Sequence, residues 1–103
     1  MIKKFLEKRV EVEFEGLNQK QGNKLELEYY LLESDYIDIG ERDTEKSYGV
    51  EIVKKNDGFQ NERKHFENIF NTREKTKGFV ELLAANTVTP STLPYILDDM
   101  LGM

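Results

Sequence analysis

Leu25-Glu26-Leu27-Glu28-Tyr29-Tyr30-Leu31-Leu32 decides the fold. Its apolar residues recur at every second position, which is the period of a β-strand and not the 3.6-residue period of a helix. Leu25, Leu27, Tyr29 and Leu31 therefore share one face. Glu26 and Glu28 occupy the other, followed there by Tyr30 and Leu32, so the polar face turns apolar midway. A strand that is apolar on both sides is either a covered central strand or one that presents a patch to a partner.

The same alternation appears on either side of this stretch. Arg9 to Glu15 puts Val10, Val12 and Phe14 on one face and Arg9 with three glutamates on the other, and the aperiodic polar run Gly16 to Asn23 joins it to the second strand. A third strand, 47–54, aligns Tyr48, Val50 and Ile52. Asn56-Asp57-Gly58 follows as a tight-turn signal, since Asp-Gly tolerates the positive φ of hairpin turns. A charged return strand over 59–66 is expected, as suits a sheet edge. A two-residue Asp57-Gly58 loop sets Glu51 opposite Lys64, and a three-residue loop shifts that register. Residues 33–46, with Asp35, Asp38, Glu41, Asp43 and Glu45 around Gly40, read as an acidic loop that Tyr36, Ile37 and Ile39 tether to the core.

Beyond Phe70 the period lengthens to that of a helix. Asn71 and Glu74 fit a capping box, and Phe79, Leu82 and Leu83, joined by Thr76 and Val80, recur at helical spacing as far as Ala85-Asn86. Gly78 reads as a point of close approach to a strand. Both prolines lie in Thr87 to Pro94, before a final helix over 91–101 that Thr89 or Thr92 caps. The order predicts an α+β domain spanning 1–103: an antiparallel meander of about four strands (9–15, 25–32, 47–54, 59–66) followed by two C-terminal helices (72–85, 91–101) packed on one face.

Bulk properties narrow the function. The chain has 103 residues, enough for one core, and 15 Lys and Arg against 20 Asp and Glu give a formal charge of −5 with the signs interleaved. No basic face of the kind that displaces counterions from phosphates is present, which argues against nucleic-acid binding. With no cysteine, disulfides, thiolate catalysis and Cys-based metal sites are excluded. Met1 to Arg9 has a basic start but no apolar core of a signal peptide, and no run is long enough to span a membrane, so a cytoplasmic protein is expected.

The search for chemistry is sparse. His65 is the lone histidine, with no nucleophile or carboxylate at a catalytic spacing. The acidic residues of 33–46 do not follow the frame of a calcium loop. Asp98 and Asp99 are adjacent, hence about 100° apart on a helix, and do not converge. The glycines form neither a phosphate loop nor a dinucleotide fingerprint. No catalytic residue, cofactor or metal site is expected.

Asn86-Thr87-Val88-Thr89-Pro90-Ser91-Thr92-Leu93-Pro94-Tyr95 with Asp98-Asp99 is the most specific segment. Together with Tyr29-Tyr30-Leu31-Leu32-Glu33, Ser47 to Lys54 and Val80 to Ala84, it resembles a family of small uncharacterised proteins of clostridia and related Firmicutes, a domain of unknown function. The resemblance covers roughly residues 25–103. It implies a bacterial cytosolic protein and supplies no activity. The expectation from the residues is a non-enzymatic protein-interaction or regulatory module, docking a protein partner or a second copy through Tyr30, Leu32, Tyr95 and Leu101. The alternative is a small-ligand binder or enzyme with a pocket between helix and sheet, lined by Tyr48 and Tyr95.

Overall fold

A computed structural model of the chain describes residues 2–14, 23–37, 44–56 and 61–101. Strands β1 (Ile2–Phe14), β2 (Asn23–Ile37), β3 (Thr44–Asn56) and β4 (Glu62–Phe70) form one antiparallel sheet in chain order, followed by α1 (Arg73–Ala85) and α2 (Leu93–Leu101). The expected α+β meander with two terminal helices is what forms.

The strands are longer than the alternation suggested. β1 begins at Ile2 and carries a bulge between Leu6 and Lys8 that inserts one residue. Period-2 order therefore changes phase there and is hidden in the sequence. β2 and β3 run on into the stretch read as an acidic loop, where Glu33 pairs with Tyr48 and Asp35 with Lys46. Those acidic residues are strand residues balanced across the ladder, with Lys46 Nζ 3.1 Å from Glu33 Oε1. The rest of the expected loop, 38–43, lies outside the described residues, as does Phe59 at the expected start of the fourth strand.

In the β3–β4 ladder Glu51 stands opposite His65 and Ile52 opposite Lys64, one step from the register of a two-residue loop. Farther along, Gly49 meets a wide bulge in β4, in which Asn68 takes a left-handed φ of 57°. A Cβ on Gly49 would fall 2.0 Å from the Phe66 carbonyl oxygen and 2.9 Å from Glu67 Cα, so backbone touches backbone there.

Both helices lie on one face of the sheet. Leu27, Tyr29, Val50 and Ile52 form the core with Phe79, Val80, Leu83, Ala84, Val88, Leu93 and Leu97. Thr72 caps α1, its hydroxyl accepting from the Lys75 N–H at 3.3 Å. The cap is one residue later than the Asn71 box, because Thr76 also donates to the Thr72 carbonyl at 2.8 Å. Leu82 is 47% exposed, whereas Thr76 is fully buried. A Cβ on Gly78 would meet nothing within 4 Å, so this glycine marks no strand contact. The helix ends in a Schellman motif: Val88 donates to Leu83 O and Thr87 to Ala84 O, with Thr87 at φ 52°. The buried Tyr29 hydroxyl donates to the Val88 carbonyl at 2.8 Å, tying this turn to the sheet, and burial pushes its pKa up to about 12. In the next turn Thr89 Oγ1 and Thr92 Oγ1 lie 2.8 Å apart, and the Thr92 carbonyl accepts from Ile96 at the start of α2.

The two glycines predict opposite outcomes. Gly49→Ala should cost about 3 kcal/mol in urea unfolding, because backbone must move to admit the methyl. Gly78→Ala, in an exposed helical position with open space, should raise stability by roughly 0.5–1 kcal/mol.

Candidate functional site

The register assigns the paired strand residues to a face. Opposite the helices stand Ile2, Lys4, Leu6, Arg9 and Glu11 of β1, Glu26, Glu28, Tyr30 and Leu32 of β2, Glu51, Val53 and Lys55 of β3, and Arg63 and His65 of β4. Among the described residues no element covers this face. Its middle is nonetheless closed, for Leu32 is 5%, Val53 3%, Glu28 2% and Glu51 6% exposed. The side chains of the flanking strands do the closing.

Charge is organised around two carboxylates. Glu28 Oε1 accepts from the Tyr30 hydroxyl at 2.9 Å and lies 3.1 Å from Lys55 Nζ, while its Oε2 accepts from Arg9 Nη2 at 3.1 Å. Arg9 also reaches Glu26, its Nε 2.9 Å from Oε1. Burial alone would push the Glu28 carboxyl up, but hydrogen bonds from Tyr30, Lys55 and Arg9 outweigh it and hold the group below its ordinary value. Glu51 is ion-paired with Lys4, whose ammonium sits 4.2 Å from the centre of the Tyr30 ring. Partial burial and the Glu28 carboxylate push the Tyr30 hydroxyl up.

Beside this network a shallow hollow of about 260 Å³ is lined by Ile2, Lys4, Leu32, Glu51, His65 and Glu67. His65 is exposed and faces Glu51 across the ladder. A second hollow, about 410 Å³, opens between β1 and α1 and is lined by Lys8, Val10, Glu81, Ala84 and Ala85. Neither is the Tyr48 and Tyr95 pocket expected between helix and sheet: Tyr48 is 9% exposed on the helix face and Tyr95 is 72% exposed on α2. Among the described residues no cluster of His, Asp and Glu has the makings of a metal site, and no helix is long and apolar enough to cross a membrane.

The expected contact residues whose side chains are described lie on two sides of the sheet. Tyr30 and Leu32 lie on the open face, Leu32 buried there beneath its neighbours. Tyr95 projects from α2 on the opposite side of the sheet, with Leu93 and Leu97 of the same helix buried in the core. Leu101 ends α2, and its side chain lies outside the described residues. Reading the sequence missed Lys4, Arg9 and Lys55. Their signal is there in retrospect: each is a cation on the alternate face, in a strand that neighbours β2.

The profile of a family of unknown function (DUF6514) matches residues 8–103. No curated protein and no solved structure matches the chain.

The Glu28 network predicts a signed pH dependence. Its folded pKa is depressed, so its stabilisation is complete above the ordinary value of 4.5 and is lost as pH falls through the depressed value. Glu28→Gln should destabilise by roughly 1–3 kcal/mol at neutral pH and flatten the acid limb of a urea-midpoint titration below pH 4.5.

Proposed function

The chain belongs to this family of unknown function, and we propose that it is a non-enzymatic protein-interaction module whose open sheet face docks a protein partner. One observation carries the reading. The face uncovered by the helices carries apolar residues, Ile2 (48% exposed) and Leu6 (46% exposed) on the edge strand β1 next to Tyr30 of β2, beside charges that already have partners within the chain. Exposed apolar residues bordered by polar ones mark interaction sites. Covering Glu28 or Glu51 would bury no charge that lacks a counterion, so docking escapes the largest desolvation cost.

A bacterial, clostridial or related Firmicute origin and a cytoplasmic setting belong to the same proposal, supported by the segment around Asn86 to Tyr95. Tyr95 is a separate apolar point on the far side.

The test is to capture partners from the source cells on the tagged chain, purify the one recovered and measure its Kd for three folded variants. Leu6→Glu and Tyr30→Ala should each weaken binding about tenfold or more, the size expected at an interface centre, while Tyr95→Ala leaves it unchanged. Loss with Tyr95→Ala alone would move the contact to α2 and sink the open-face reading.

A further inference from the structure

β1 is an edge strand of 13 residues, and among the described residues nothing pairs with its outer side. A long edge with a row of unpaired backbone groups invites another strand. Its charges are segregated: Lys3 and Lys4 at the start, Glu11 and Glu13 at the end. Antiparallel pairing with itself brings each start against the other end. We propose that β1 pairs with β1 of a second copy about a two-fold axis between Glu7 and Lys8, placing Lys4 opposite Glu11 of the second copy.

The bulge selects this register. Without it, residues opposite one another on a common face would be an even number of positions apart. With one residue inserted between Leu6 and Lys8, Lys4 and Glu11 both belong to the open face, since they pair with Leu32 and Glu26 of β2. Phe5 and Val10 both belong to the helix face, pairing with Leu31 and Leu27. The proposed register thus sets Lys4 against Glu11 and Phe5 against Val10, an opposite-charge pair and an apolar pair that each occur twice, with Leu6 against Arg9 between them. Such cross-strand pairs stabilise a sheet. Slipping the strand by two residues one way brings Lys4 opposite Arg9, like charges on the open face, and the other way Lys8 opposite Arg9, which belong to opposite faces and do not match in a ladder. Phe5 and Val10 are each half-buried in the single chain and would cover one another.

The assembly closes at two. A two-fold contact uses the same edge of both copies. The outer edges left over are β4 and its equivalent, nine residues long against the 13 of β1. The family match begins at residue 8, so the half of β1 bearing Lys4 and Phe5 lies outside it. The edge borders the open face and shares Lys4, Leu6 and Glu11 with it, but the dimer is held by the outer side of β1 and does not rest on the docking reading.

The test is sedimentation equilibrium of the full chain over a concentration series, beside Glu11→Lys, with hydrogen exchange of β1 amides at low and high concentration. Glu11 is exposed, so the variant should fold. The parent should be a dimer, with β1 protection rising with concentration. Glu11→Lys should raise the dimer Kd at least tenfold, since both copies of the pair become repulsive, and should abolish the concentration-dependent protection. A parent that is monomeric throughout, or a dimer untouched by Glu11→Lys, overturns the proposal. A monomeric parent that still binds its protein partner through Leu6 and Tyr30 overturns the dimer alone and leaves the docking face standing.

Discussion

β2 is buried on both faces, and the rest of the structure follows from that constraint. On one side Leu27, Tyr29 and Leu31 are 0–1% exposed beneath the helices; on the other Glu28 and Leu32 are closed over by side chains alone. A strand so enclosed needs a ladder along each edge for its backbone groups. β1 and β3 supply these over almost its whole length. The Tyr29 hydroxyl then fixes where the helices sit, because its bond to the Val88 carbonyl joins the centre of the sheet to the turn between α1 and α2. That turn takes its shape at Thr87, whose left-handed φ suits glycine better than a β-branched residue. The bond from Tyr29 helps to offset the strain.

What was legible in the sequence was whatever one period expresses. Val10, Val12, Leu25, Leu27, Tyr48, Val50 and Ile52 alternate without interruption, so the strands, their faces and the meander could be read. So could the helix carrying Phe79, Val80 and Leu83. What could not be read was whatever depends on a change of phase or on a neighbour. The bulge at Leu6 to Lys8 put Ile2, Lys4 and Leu6 on the face opposite to Lys8 and Val10, and alternation across the bulge looked like noise. The continuation of β2 and β3 into acidic sequence was hidden because charge there is balanced between strands, Glu33 by Lys46, and not within either.

The candidate site was half legible for the same reason. Tyr30 and Leu32 announced that the second face of β2 is unusual, and so it is. Burial of Glu28 could not be inferred, because a glutamate on an alternating strand ordinarily faces water. It becomes tolerable only when Arg9 from one neighbouring strand and Lys55 from the other converge on it. Tyr95 and Leu101 were grouped with Tyr30 by apolarity alone, whereas the sheet separates Tyr95 from Tyr30.

The charges of this face differ in exposure. Exposed ion pairs contribute little to stability, and the penalty for burying charge falls on whichever group lacks a counterion. Here the cations Lys4, Arg9 and Lys55 are partly exposed and the carboxylates Glu28 and Glu51 are not. The network therefore shows a partner its positive ends, beside exposed apolar residues, although the chain as a whole carries −5. Beside Leu6 and Tyr30 stand cations that are each paired within the chain and still partly exposed. Of the acids on this face, Glu28 and Glu51 are closed off, while Glu26 and Glu11 stay accessible toward the far end of β1. On the proposed docking, a partner's carboxylates would meet Lys4, Arg9 and Lys55 beside Leu6 and Tyr30, although the net charge of the chain is negative.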